Sequence, residues 1–448
     1  LKIDGFFALL SRKRLPRRRD SKNASAMLPG FEYLNGDLHF DGQSVSKLAA
    51  QFKTPLYVYS ERLIQERYES YVRGAAGRRV QICFAVKANS NLSVLRLLAG
   101  LGAGADIVSG GELYRCQKAG MPSSKIVFSG VGKTDDEIEA ALQAQIMLFS
   151  VESAEELNRL SALAARSGQR APVSLRMNPD VDAKTHPYIS TGLKANKFGI
   201  PYTEFDAMID HAQTLPGIEL SGFGYHIGSQ LTDVSGFEEA ALRGKELARR
   251  FLEKMGKLPF LDAGGGLGIR YKGEAPPEPE PEQYVRRIIS ILDFPETTIL
   301  FEPGRSIVGS AGALLTTILF RKENEEKTFY ICDAAMNDLI RPALYSAYHE
   351  ILPAREDRVS DRNPLRRGDL VGPVCETGDF LARDRDLPHF EQSDIAALAT
   401  TGAYGFVMAS NYNSRPRPAE VIIADGKPVL IRRRETLDGL ISAELDLS

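Results

Sequence analysis

The sequence predicts an α/β fold: a (β/α)8 TIM-like barrel followed by a mainly antiparallel β domain. Two observations carry this. From residue 80 to 302, eight short apolar runs alternate with helical patterns, and a parallel strand buried on both faces reads as such a run. After Arg305 the regular helices stop and apolar runs follow one another. An open doubly wound sheet is the structural alternative for the first part, but eight strand–helix units over about 220 residues fit a closed barrel.

Residues 1–26 stand apart. They hold eight Lys/Arg against Asp4 and Asp20, a local charge of +6, and leave the rest of the chain at −8. Secretory signals place their charges before the apolar stretch; here Phe6–Leu10 precedes the arginines and is short. The segment reads as a disordered extension, with Met27 a candidate start. The segment Phe31–Tyr59 precedes the barrel and is positioned to add strands to it; in the domain division, 27–59 joins the β domain. The barrel is expected over 60–305, on strands Val80–Val86, Ala105–Val108, Lys125–Ser129, Ile146–Val151, Pro172–Met177, Ile218–His226, Leu258–Asp262 and Thr297–Phe301. Thr134–Glu137 and Ser153–Glu156 fit the capping box, and Glu238–Lys254 has a helical pattern. Glu274–Pro281 reads as an extended, solvated loop. The C-terminal β domain, 306–448, takes Leu314–Phe320, Thr328–Cys332, Leu370–Val374, Ile395–Thr400 and a hairpin of Glu420–Ala424 and Pro428–Arg432 turned by Asp425-Gly426. The tract Arg432–Arg434 reads as a solvated strand end.

Composition excludes several functions. The 448 residues carry 56 Lys/Arg against 58 Asp/Glu, a net charge of −2, without the basic excess of a nucleic-acid binder. No apolar run approaches a membrane span. Cys83, Cys116, Cys332 and Cys375 show no C-x-x-C spacing, so neither a zinc site nor a disulfide framework is indicated, no metal is expected, and a reducing, cytoplasmic setting is the default.

Barrel chemistry lies at the C-terminal strand ends. Strand one ends in Lys87. Burying an ammonium is costly unless it is paired or neutralised, and a desolvated lysine with a lowered pKa is a nucleophile suited to a Schiff base; the bland reading is a lysine reaching solvent. Strand six ends in His226, with Ser229 just beyond. Strand seven ends in Gly264-Gly265-Gly266, whose backbone can approach an anion closely. Strand eight ends in Glu302-Pro303-Gly304-Arg305. Singly these are a core histidine, a tight turn and a weak tetrapeptide. Together, a Schiff-base lysine, an aromatic stacker, a phosphate cradle and an acid are what pyridoxal 5'-phosphate requires.

Longer stretches carry a resemblance: FAVKANSN (84–91), DIVSGGEL (106–113), RMNPDVDAKTHPYISTGLKANKFGI (176–200), YHIGSQ (225–230), LDAGGGLGI (261–269), EPGR (302–305), DAAMNDLIRPALY (333–345), GPVCETGDFLARDR (372–385) and YGFVMASNYNSRPRPAEV (404–421). In this order they resemble the diaminopimelate decarboxylase family, from about residue 30 to 440. The resemblance implies an alanine-racemase-type fold, a pyridoxal-phosphate lyase and the last step of bacterial lysine biosynthesis, in which meso-2,6-diaminopimelate loses CO2 at its D-centre to give L-lysine. It also implies a homodimer with shared active sites; that neither a nucleic-acid nor a membrane partner is expected rests on the charge balance and the apolar runs above.

Carried over by position, the resemblance gives Lys87 the Schiff base and His226 the cofactor ring. Gly265, Gly266 and the turn Glu302, Pro303, Gly304 and Arg305 fall to the phosphate cradle, Ser229 to cofactor binding, and Glu302 also to the pyridinium nitrogen. Arg305, Arg341 and Tyr345 fall to the far-end carboxylate. Glu376 falls to the distal ammonium, Tyr404 to cofactor and substrate, and Cys375, from the partner subunit, to proton donation. Ala335 departs from the family's usual glycine. A related decarboxylase acting on carboxynorspermidine, ornithine or arginine would share Lys87 and the glycines but not need two distal arginines. A racemase would place a cation at the ring nitrogen, where Glu302 stands. A catalytically dead homologue would have no need to retain Lys87, Glu302 and Cys375.

Overall fold

The computed structural model describes residues 27–179, 197–273, 275, 278–359 and 363–445. Expectations for residues 1–26, most of the 176–200 stretch and part of Glu274–Pro281 lie outside the described residues. Eight parallel strands, Val80–Ala85, Gly104–Ile107, Ile126–Phe128, Leu148–Val151, Ala171–Asn178, Ile218–Tyr225, Phe260–Asp262 and Thr298–Phe301, pair in sequence order. The last returns to the first, with Ile299 opposite Val80, and closes the barrel. All eight expected strands are present.

Helix boundaries follow local chemistry. Thr134 and Glu137 complete the capping box of helix Asp135–Gln143. Ser153 caps helix Ala154–Arg166, but the Glu156 carboxylate accepts from the Glu152 N–H at 2.8 Å and pairs with Lys133; the box expected there is only half formed. Helix Ser235–Met255 spans the expected helical segment. Helix Glu61–Ala75, before strand one, packs so closely on helix Pro281–Ile291 that a Cβ on Gly74 would lie 2.7 Å from Val285 Cβ. Glu278 is not solvated as expected: it pairs with Arg67 at 2.9 Å.

The second sheet is built around the long strand Gly312–Glu323, which pairs antiparallel with Leu56–Ser60, Thr328–Cys332 and Ile395–Ala399. Leu56–Ser60 therefore belongs to this sheet and not to the barrel, while Phe31–Leu34, Asp37–Phe40 and Gln43–Ser44 form a small sheet of their own. Thr328–Cys332 continues in parallel to Arg366–Val371, which pairs with Phe380–Leu387. The expected strand at Leu370–Val374 thus stops at Val371. Phe380–Leu387 was not anticipated, because its run of Arg383, Asp384, Arg385 and Asp386 hides the apolar alternation. The hairpin Ala419–Ala424/Lys427–Arg432 turns on Asp425 and Gly426 at φ 49° and 71°, as a two-residue turn with left-handed centres requires.

The two units are tied by a buried carboxylate. Glu420, fully buried in the second sheet, accepts from Tyr59 Oη at 2.7 Å, from Arg432 Nε at 2.6 Å and from Asn91 Nδ2 at 2.9 Å. Asn91 caps the helix that follows Lys87. Arg434 donates to the carbonyls of Lys53 and Pro55, so Arg432 and Arg434 are half-buried and engaged, and Arg433 is the exposed member of the tract. Glu420→Ala strands two buried donors, Tyr59 and Asn91, and the half-buried Arg432, and such losses cost roughly 3 kcal/mol. The expected result is a clear drop in Tm by scanning calorimetry, and an unchanged Tm contradicts it.

Candidate active site

Lys87 sits on a short 3-10 turn, Val86–Ala88, directly after strand one. Its Nζ is 2.6 Å from Asp106 Oδ2 at the end of strand two, and 42% of its side chain is exposed, so it opens onto the barrel mouth. Burial works against its charge, but Asp106, with Tyr404 and Glu302, outweighs burial and raises its pKa. The lowered pKa expected from strand-end burial is thus corrected: the lysine is held as an ammonium, and the fully buried Asp106 is its partner.

Two more carboxylates stand at neighbouring strand ends. Asp262 accepts from the Gly264 N–H at 2.8 Å and is hydrogen-bonded to Glu302. Burial, then neighbouring carboxylates, raises the pKa of Glu302 well above its ordinary value, and burial raises that of Asp262 to about 6. Glu302 Oε1 is buried with no partner. His226 Nδ1 accepts from the Gly265 N–H at 3.2 Å, which leaves the ring proton on Nε2. Burial, with Arg176 and Lys87, pushes its pKa well down, so the ring is neutral.

The glycines are required by space. Gly266 has φ +112°, and a Cβ there would meet Gly228 O at 2.1 Å; one on Gly265 would meet Glu302 O at the same distance. A Cβ on Gly304 would lie 2.9 Å from Ala88 Cβ. Among the described residues, the amides of Gly266 and Arg305 have no acceptor.

One wall of the mouth is cationic. Arg305 and Arg341 are 7% and 6% exposed. Among the described residues neither has an acidic partner. Arg305 Nη2 donates to Ser229 Oγ at 3.1 Å, and its guanidinium lies 4.8 Å from the centre of the Tyr404 ring. Tyr345 acts electrostatically on Arg305. Tyr404 itself is anchored by its N–H on Ala88 O at 2.8 Å. Between the arginines stands Tyr271: Arg305 Nη1 donates to its Oη, and the Arg341 guanidinium is 4.9 Å from its ring centre. Behind Arg341 is the fully buried His349, whose Nδ1–H donates to Ala399 O at 3.0 Å and whose Nε2 accepts from Arg341 at 3.1 Å. Sequence reasoning missed Tyr271, His349 and Asp106. Of these, Asp106 had a usable signal, since it stands at the end of a strand as Lys87 does.

Cys375 and Glu376 lie elsewhere. They are exposed, on the loop after Val371; the Cys375 N–H donates to Asn413 Oδ1 at 2.9 Å, and Glu376 acts electrostatically on Tyr412. Cys375 is thus not a buried strand cysteine, whereas the other three are buried. Ala335 is fully buried and outside the left-handed region. Its methyl is accommodated because Gly372, opposite, has no Cβ; one there would come within 2.5 Å.

The model of the pyridoxal-binding domain of pyridoxal-dependent decarboxylases matches residues 61–309. Diaminopimelate decarboxylase of Pseudomonas aeruginosa is 51% identical, over 92% of this chain and 98% of its own. This chain belongs to the diaminopimelate decarboxylase family. The relative from Aquifex aeolicus is 46% identical over 94% of this chain and 98% of its own. The crystal structure of the Helicobacter pylori diaminopimelate decarboxylase complexed with L-lysine matches with a TM-score of 0.84 at 43% identity, covering 89% of this chain and 98% of that one.

The residues fit pyridoxal phosphate, the cofactor of this decarboxylase family. The orphan Glu302 oxygen suits a ring N–H, the neutral His226 suits a ring face, and the Cβ-free cradle with unpaired amides suits the phosphate. Gly266→Ala forces the backbone to move, and titration with pyridoxal phosphate followed by absorbance is expected to show affinity reduced at least about tenfold. Wild-type affinity contradicts the cradle.

Proposed function

We propose that this protein removes the carboxylate at the D-centre of meso-2,6-diaminopimelate as CO2 and releases L-lysine. One observation carries the reading of substrate: two buried arginines, Arg305 and Arg341, share one wall with no acidic partner among the described residues. Such a pair calls for a ligand carboxylate, and a substrate lacking it leaves desolvated charges unpaired, which costs orders of magnitude in kcat/KM. L-Lysine, L-ornithine and L-arginine lack that second carboxylate.

When bound, pyridoxal phosphate supplies the electron sink for breaking the bond to the leaving carboxylate. The chain's own residues do the rest. Lys87 holds the cofactor, and Asp106, 2.6 Å away, is placed to take the proton that its ammonium must lose. Glu302 would accept from the protonated ring nitrogen through its unpartnered, buried Oε1. Arg305, Arg341 and Tyr345 bind the far carboxylate, and Tyr404 packs over Arg305.

Cys375 delivers the proton that replaces CO2 on the α-carbon, and Glu376 receives the distal ammonium. Both sit on an exposed loop away from this chain's own barrel mouth, where the Cys375 N–H donates to Asn413, which supports a homodimer in which each loop completes the other subunit's mouth. Four free cysteines suit a reducing, cytoplasmic setting.

Lys87→Ala is expected to abolish CO2 release, and near wild-type rates would sink the assignment. Arg341→Ala is expected to raise KM for meso-diaminopimelate by about a hundredfold, with cofactor affinity changed far less. Equal losses in the two titrations reject its substrate role.

A further inference from the structure

The geometry points to Tyr271 as a specificity-determining residue, a neutral spacer that holds Arg305 and Arg341 as a preformed receptor for the far-end carboxylate. This rests on the reading of the two arginines given above. Two buried guanidiniums on one wall repel, and without a compensating acceptor they would swing apart or bind a side-chain carboxylate. Tyr271 Oη accepts from Arg305, its ring lies under Arg341 at 4.9 Å, and the His349 ring meets it edge-on at 5.4 Å. A phenol supplies an acceptor and a π face without cancelling the charge, so the wall stays cationic for an incoming anion. An aspartate there would neutralise the wall; a phenylalanine would leave a guanidinium N–H unpaired.

The same placement gives the site a pH response. The groups facing Tyr271 are Arg305, Arg341 and His349; Tyr345 acts on Arg305, and Glu350 accepts from the Gly273 N–H further along the same loop. His349 stays neutral, since burial and then Arg341 push its pKa well down. Burial opposes ionisation of Tyr271, but Arg305 and Arg341 outweigh it and hold the phenol below its ordinary value. Once ionised, the phenolate pairs with the arginines internally and competes with the ligand carboxylate. Carboxylate binding therefore weakens as pH rises through the phenol's pKa.

The test uses the holoenzyme with meso-diaminopimelate as substrate and pimelate, the same carbon chain without amines, as inhibitor. For Tyr271→Phe, KM and the pimelate Ki are expected to rise about tenfold or more, kcat to fall less than about threefold, and the cofactor absorbance to be retained. In the wild type, Ki for pimelate is expected to rise from about pH 7 to about pH 10, and in Tyr271→Phe this rise disappears. If Arg341→Ala raises KM but Tyr271→Phe does not, the inference about Tyr271 fails and the arginine reading stands. If Arg341→Ala also leaves KM unchanged, both fail. Loss of cofactor or an equal loss in kcat and kcat/KM in Tyr271→Phe marks a merely structural role and overturns the inference. A flat wild-type Ki profile overturns it without any variant.

Discussion

Three hydrogen bonds pin the turn after Lys87 to the second domain. Asn89 Nδ2 donates to Gly402 O at 3.1 Å, Asn91 Nδ2 to Glu420 at 2.9 Å, and the Tyr404 N–H to Ala88 O at 2.8 Å. The lysine is carried by a barrel strand and its ammonium is held by Asp106 of the next one, while the turn that follows it is fixed from outside the barrel. The same clamp brings Tyr404 over Arg305 and seats Arg341 beside the mouth. The barrel supplies the cofactor's groups, the second domain supplies half of the cationic wall, and the clamp sets their separation.

The mouth is electrically divided. Asp106, Asp262 and Glu302 gather at the strand ends, and burial favours the protonated form of the coupled pair. Lys87 sits against the first of them. The arginine wall has neutral partners instead: Ser229, Tyr271, Tyr404 and His349. Cation partners that are polar but uncharged leave net positive charge available for an anion, and an acid with an unpaired buried oxygen leaves an acceptor available for a ring N–H. Both features disfavour the ligand-free state locally, as preorganised sites do.

Much of this was legible in the sequence because barrel chemistry sits at strand ends and parallel strands are apolar runs. Lys87 and Glu302 follow directly on their runs, His226 ends another, and the glycines begin one residue past a fourth. What was hidden depends on contacts between distant segments. The Lys87 pKa was misjudged because Asp106 lies 19 residues away, on the next strand. Tyr271 and His349 carry no motif of their own; only the fold places them against Arg305 and Arg341. The strand Phe380–Leu387 was hidden by its charges, and the small N-terminal sheet by its shortness. The exposure of Cys375 follows from the strand ending at Val371, one ladder position no local pattern marks.

The central claim is that the cationic wall selects a substrate with a second carboxylate. CO2 release by the purified protein with pyridoxal phosphate, compared across meso-diaminopimelate, L-lysine, L-ornithine and L-arginine, tests it most directly. The account predicts release from meso-diaminopimelate alone, with L-lysine as product. Comparable release from any of the three monocarboxylates contradicts it.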